Sequence, residues 1–453
     1  MTTEISIWES GSHAAPKPPI AKGLPLLGNA LEMKNDPLQF LVQQYAQLGP
    51  VFRVKALHQT FNVLAGPDAN LFMSRHGDQY LSSREPWTKF ADEIDSDYFL
   101  AMLSGDDHAQ MRKVIKKPYS RHVLLQRLPE TITKTRELLS TWPTQKPITV
   151  FPTMQRLLAE QIGYLTLNEG PGEYFDDFVI FMRTLLNAVL GQIPLFMLKM
   201  PSYRRAKARV LDLAQQMIDR HRQTDSSKRE PDLIDYLLEA SMEHPKLLSH
   251  PELLIGAIGP YLAGIDTAAG TLSFMLYALL KHPDVLARVK AEVNSHFAQG
   301  PLTAQSLRQM SILHAATQET LRMYPVSPML PRTVAEPFTF AGYQLEAGDP
   351  IMMGIGVSHY DPNLYQNPYQ FDPDRCLKPR EEHKQPGALA PYGLGAHTCA
   401  GAGLAEVLIM VSAATIIHEW EMTMIPSDYD LKITLNPAPA PNSQFRIRVN
   451  HSA

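Results

Sequence analysis

Apolar residues recur three and four positions apart over most of this chain, the spacing that gives a helix one face for a core. The segments 129–142, 173–190, 203–222 and 251–280 carry it most clearly, and the last, the longest and most apolar, calls for burial. Strand-like runs are shorter. Val, Leu, Ile and Phe alternate or cluster over 51–54 and 61–64 between Gly and Pro, and again over 338–345, 351–357 and 445–449. The pattern predicts a protein that is mainly α with a minor β-sheet region near the start and again late. Residues 1–20, closing on Pro16, Pro18 and Pro19, read as a flexible lead, and 21–453 as a single domain without repeat or linker.

Polar residues that interrupt this pattern are where chemistry is sought. Ala263-Gly264-Ile265-Asp266-Thr267 lies inside the longest apolar helix, among Ala257, Ile258, Leu262, Ala268 and Leu272. A carboxylate there is costly unless it is paired or wet. A core helix whose Thr267 hydroxyl bonds back to a carbonyl one turn earlier explains the segment equally well. Glu319 and Arg322 stand three apart on a helix expected to open at Thr303 and close before Pro325, a spacing that permits an ion pair. His108 and Arg112, four apart, share a helix face.

One loop is more specific. Tyr392-Gly393-Leu394-Gly395-Ala396-His397-Thr398-Cys399-Ala400-Gly401 places one of only two cysteines among three glycines, ahead of a run of small residues. Without a Cβ the glycines let the backbone turn sharply and lie flat against a large planar group. A thiolate presented this way suits a soft axial bond to haem iron. A zinc site lacks a second Cys/His pair to complete a tetrahedral set. A thiol hydrolase would need an oriented base that spacing alone does not supply. Cys376, the other cysteine, reads as a small buried hydrophobe.

Composition narrows the class. The 453 residues carry 42 Lys and Arg against 46 Asp and Glu, a net charge of −4 that gives nucleic acid nothing to bind. Two cysteines form no disulfide framework and fit a reducing cytosol. Residues 1–15 contain no long apolar run, so neither a signal peptide nor a transmembrane anchor is expected there, and the location is read as cytoplasmic.

The cysteine loop resembles that of the cytochrome P-450 monooxygenases, Phe-Gly-x-Gly-x-His-x-Cys-x-Gly, with Tyr392 where the family usually has Phe. The resemblance runs over roughly residues 20–450 with its parts in the family's order, and it is to the soluble bacterial type. It implies a triangular helical prism enclosing haem b, with Cys399 as axial thiolate. Ala263-Gly264-Ile265-Asp266-Thr267 is similar to the family's distal helix. This implies a groove for dioxygen at Gly264, a water held by Thr267 and protons fed by Asp266. His108, Arg112, Arg332 and His397 match the propionate ligands, with Tyr392, Gly393 and Ala263 beside the ring. Glu319, Arg322 and Arg375 match a buried structural triad, in which losing one member would cost roughly 3–5 kcal/mol. Tyr98, Phe99, Leu100, Ala263, Val326, Met329 and Leu330 match pocket positions, although ordinary packing explains most of them.

The implied activity is insertion of one oxygen atom, by hydroxylation or epoxidation, into a lipophilic small molecule such as a fatty acid, terpenoid or steroid. Only 54 residues follow Cys399, and no flavin or iron–sulfur motif is present. Electrons are therefore expected from a separate ferredoxin or flavodoxin with its reductase. A monomer is expected, with at most a weak membrane-surface contact through the apolar stretch 178–200 and the basic Arg204, Arg205 and Lys207 beyond it. A peroxide-driven peroxygenase is the nearest rival, but such relatives replace the Asp-Thr pair. A haem sensor or carrier without turnover has no need of that pair.

Overall fold

A computed structural model describes residues 7–11, 14–190, 192–224, 229–435 and 437–452. The first part runs β1 (Trp8–Ser10), α1 (Ala30–Asn35), α2 (Pro37–Leu48), β2 (Val51–Ala56), β3 (Gln59–Ala65), α3 (Pro67–Tyr80), β4 (Leu81–Ser82), α4 (Arg84–Ile94) and α5 (Gly105–Ile115). A helical middle follows: α6 (Arg121–Gln126), α7 (Leu128–Leu139), β5 (Ile148–Thr149), α8 (Val150–Leu167), α9 (Phe175–Val189), α10 (Pro201–Gln223) and α11 (Leu233–Glu243). Then come α12 (His250–Lys281), α13 (Pro283–Phe297), α14 (Ala304–Gln309) and α15 (Ser311–Met323). The last part holds β6 (Leu330–Val334), β7 (Phe338–Phe340), β8 (Tyr343–Leu345), β9 (Pro350–Gly354), α16 (Ala402–Glu419), β10 (Trp420–Ile425), β11 (Ile433–Leu435), β12 (Pro439–Pro441) and β13 (Arg446–His451). Helices dominate and the sheets are small, as the apolar periodicity predicts.

Proline opens α2, α3, α10 and α13, where its missing N–H would have been unpaired anyway. Thr303 caps α14 by accepting from the amide of Ser306, as a capping threonine should. The expected single helix from Thr303 to Pro325 is nevertheless two: α14 stops at Gln309, and α15 begins anew at Ser311. The carboxylate of Glu292 accepts the first amides of α15, Ile312 and Leu313, at 2.8–3.1 Å, so a neighbouring helix caps the restart. Local periodicity carries no trace of that cap.

The largest sheet has the order β2-β3-β9-β6-β4. β3 lies parallel to β9, and β9 antiparallel to β6, with Arg332 opposite Ile351. A second sheet, β1-β7-β8, pairs Trp8 with Phe340 and Ser10 with Phe338. Within the expected flexible lead, Trp8–Ser10 therefore forms an ordered edge strand. Trp8 packs against Phe72, His76 and Tyr80 with ring centroids 5.6, 4.2 and 5.5 Å away. That contact spans more than 60 residues, which no local pattern announces.

The 32-residue α12 runs through the interior and packs on α8, α10, α11, α15 and α16. It contributes to two large apolar clusters, one shared with α7, α8 and α16 and the other with α9, α10 and α11. Among the described residues, two segments are long and apolar enough to cross a membrane, His250–Lys281 and Gly395–Glu419. Their apolar windows are 72% and 67% buried inside the protein, the mark of core helices.

Candidate active site

Gly393 and Gly395 take φ values of +74° and +69°, the left-handed region that a Cβ penalises. A Cβ on Gly395 would also stand 2.9 Å from the carbonyl oxygen of Met73 on α3, so the glycine lets that helix seat the loop. The loop then folds on itself. The Cys399 amide donates to the carbonyl of Tyr392 at 2.8 Å, and the Thr398 hydroxyl to that of Gly395 at 2.7 Å. Cys399, an exposed residue, stands just ahead of the N-terminus of α16. Burial pushes its thiol pKa up; the Gly401 amide, the Arg112 guanidinium and the Ala402 amide pull it back toward thiolate.

Basic groups from two other elements meet at this loop. The His108 ring, from α5, stacks on that of His397 at 4.3 Å, and Arg112 donates to the Thr398 carbonyl at 2.6 Å. Arg332 reaches in from β6, buried to 7% exposure. Burial drives the His397 pKa down to about 4, with His108, Arg332 and Arg112 adding repulsion. Burial likewise lowers Arg332 to about 10, and Asp78 only partly offsets it. Among the described residues Arg332 has no carboxylate within ion-pair distance; its hydrogen bond goes to the neighbouring Pro331 carbonyl. A buried guanidinium left so is costly unless an anion completes it. Four converging basic groups beside a thiol thus fit a group carrying carboxylates and a soft metal, as haem does.

On α12, Ala263 is exposed although Tyr261 and Ile265 on either side are buried, so the core is open there. Thr267 donates its hydroxyl to the Ala263 carbonyl at 2.8 Å, the back-bonded arrangement that a core helix also allows. Gly264 also has a packing role. A Cβ there would meet Ile162 Cδ1 at 2.7 Å, so its bareness serves the close approach of α8. Asp266 points to the same side. Gln155 of α8 donates to its Oδ1, and burial raises its pKa while Arg183 of α9 opposes that rise. Neither Gln155 nor Arg183 was singled out by the sequence, because both arrive from other helices.

Glu319, Arg322 and Arg375 are each fully buried. Arg322 donates through Nε and Nη2 to the two Glu319 oxygens at 2.7 and 2.8 Å, and Arg375 Nε to Oε1 at 2.9 Å. Glu382, which motif spacing missed, takes Arg375 Nη1 at 2.7 Å and balances the second guanidinium. Tyr392 keeps a buried hydroxyl without a hydrogen-bond partner among the described residues. Cys376 sits beside the triad with its thiol pushed up to about 12 by burial, so it stays protonated.

The expected pocket positions divide. Tyr98, Phe99 and Leu100 border the cluster of α4, α9 and α10, and Phe99 lies 4.7 Å from Phe90 and 5.8 Å from Trp87. Val326 packs against Gly270 of α12. Leu330 Cδ1 comes within 3.6 Å of where a Cβ on Gly393 would be, so it belongs to the loop's surroundings. Met329 is partly buried against the N-terminal cluster of α2, β2 and β3.

Comparison with known proteins agrees with this arrangement. The family model for cytochrome P450 matches residues 18–444. Cytochrome P450 120 of Synechocystis sp. is 26% identical over 97% of this chain and 98% of its own length. Cyclooctat-9-en-7-ol 5-monooxygenase of Streptomyces melanosporofaciens is 28% identical over 92% of each. Human lanosterol 14-alpha demethylase is 24% identical over 90% of this chain and 81% of its own. The solved structure of retinoic acid bound cyanobacterial CYP120A1 superposes with a TM-score of 0.84 at 25% identity, covering 97% of this chain and all of that one. With the match spanning nearly the whole sequence, the chain belongs to the cytochrome P450 family, the haem-thiolate monooxygenases.

Proposed function

We propose that this protein binds haem b through Cys399 and inserts one atom of dioxygen into a lipophilic small molecule, with electrons from a separate protein. The observation that carries the reading is the buried Arg332, with no carboxylate at ion-pair distance among the described residues, converging with His108, Arg112 and His397 beside the exposed Cys399. The bound haem supplies an iron that activates dioxygen. Arg332, Arg112, His108 and His397 would hold the propionates. The Gly401 and Ala402 amides steady the Cys399 sulfur as thiolate, helped by its place ahead of α16. Asp266, with its pKa raised by burial, is suited to pass a proton from the α8–α9 side, and Thr267 to hold a water at the open face of α12.

The apolar side chains around α4 and α9 support a lipophilic substrate, as do relatives whose names carry lanosterol, cyclooctat-9-en-7-ol and retinoic acid. Fatty acids, terpenoids and steroids all fit this description. Exposed Leu195, Phe196 and Met200 beside exposed Lys199, Arg204 and Arg205 suit substrate uptake from a lipid surface. Exposed Lys113, Lys116, Lys117 and Arg121, which neighbour Arg112 bonded to the loop and Gly403 at the start of α16, suit docking of an acidic ferredoxin or flavodoxin. The test is the ferrous carbonyl spectrum. The wild type is expected to show the thiolate-type Soret band and Cys399→Ser to lose it; an unchanged band in that variant overturns the reading.

A further inference from the structure

We infer that His359 is a positioning residue for the cysteine loop, acting through the one hydrogen bond that its Nε2 accepts from the Ala390 amide. This rests on Cys399 being the axial ligand. His359 lies on the short turn Val357–Tyr360 and is wholly buried. Its Nδ1 is 3.0 Å from the Arg322 carbonyl oxygen, and its Nε2 is 3.0 Å from the Ala390 amide nitrogen. A carbonyl can only accept and an amide N–H can only donate, so the ring is held as the Nδ1–H tautomer with Nε2 as acceptor. Burial, with repulsion from the Arg322 guanidinium second, holds its pKa near 3, so the ring keeps that neutral form across the physiological range.

The bond matters because of what lies at each end. On one side, Arg322 is locked to Glu319 and returns an Nη1 bond to the His359 carbonyl at 2.6 Å, so the imidazole stands on the most rigid polar cluster of the core. On the other side, Ala390 begins the loop. Its carbonyl accepts from Gly393, and the adjoining Tyr392 carbonyl accepts the Cys399 amide at 2.8 Å. Two further ties act only upstream: Ser358 donates to the Ala388 carbonyl and Asn70 to that of Gly387, each at 2.9 Å. Among the described residues, His359 alone carries the rigidity of the triad into the segment that presents the sulfur. Loss of the Nε2 bond would free the loop's first residue and let the thiolate drift from its axial position.

Two substitutions separate the ring's two bonds. The amide of His359→Asn reaches only the place of Nδ1, and that of His359→Gln only the place of Nε2. Both should lower the unfolding temperature, since each loses one buried bond. Only His359→Asn should convert part of the thiolate-type ferrous carbonyl band to the displaced form and shift the reduction potential. Its Ala390 amide should exchange at least about tenfold faster, about 1.4 kcal/mol of lost protection. His359→Gln should keep the wild-type spectrum. Equal loss of stability in both variants with spectrum and potential unmoved overturns the inference. Should neither variant fold, native-state exchange in the wild type decides: Ala390 and Cys399 amides opening as one unit support it, and Ala390 opening alone and faster overturns it. A wild type lacking the thiolate band would instead refute the ligation itself.

Discussion

Thr267 contributes little to the fold, so its proposed role can be tested apart from stability. Its hydroxyl bonds to the Ala263 carbonyl of its own helix, a contact whose net stabilisation is about 1 kcal/mol or less. Thr267→Ala is therefore expected to unfold within a few degrees of the wild type while consuming more reductant per product formed. Unchanged coupling, measured as the ratio of reductant oxidised to product, would remove Thr267 from the proton path. The residues that sequence alone made legible share a property: each motif is short, so its members are neighbours by spacing. The cysteine loop, the Asp266-Thr267 pair and Glu319 with Arg322 are of this kind. Gln155, Arg183, Glu382 and His359 act on those motifs from other elements, and burial and tertiary distance alone bring them in.

Between elements, the close seat of α12 on α8 depends on Gly264 having no side chain. Gly264→Ala is expected to cost about 1–3 kcal/mol by overpacking against Ile162. Ile162→Val, which removes the opposing Cδ1, should recover part of that loss in the double variant, a non-additivity that thermal unfolding can read. Additive costs would mean that the contact is not the cause. The α10–α11 junction gives a pH prediction. His221 Nε2 stands 3.0 Å from both oxygens of Asp232, the capping residue of α11. Burial alone would lower the His221 pKa, but the bond to Asp232 overrides it and leaves it raised; burial likewise opposes the lowering of Asp232, which His221 imposes. The histidine's contribution is full below its unfolded pKa and lost as pH rises through the raised folded value. The aspartate's is full above its unfolded pKa and lost as pH falls through the lowered folded value. Stability of this junction should peak in the mildly acidic interval between them, and His221→Gln should flatten the decline on the alkaline side. A decline of wild-type steepness in that variant would contradict the pairing.

Across the whole molecule, helices were predictable and sheets only partly so. Long helices such as the amphipathic α10 and the apolar α12 repeat their signal over six or more turns, which fixes their place within a few residues. β4 and β5 are two residues long, and β10 is held by β13 through a register that periodicity does not encode. The lead was the widest miss, because Trp8–Ser10 gains its order from Phe338–Phe340 at the far end of the sequence. That strand has a practical side. It covers the outer row of backbone amides and carbonyls on β7, which would otherwise invite pairing with another molecule. A shortened protein starting at residue 12 should therefore scatter light and sediment as higher oligomers where the full chain does not. Affinity handles or fusion partners belong at the other terminus, or behind a spacer that leaves Trp8 free to dock.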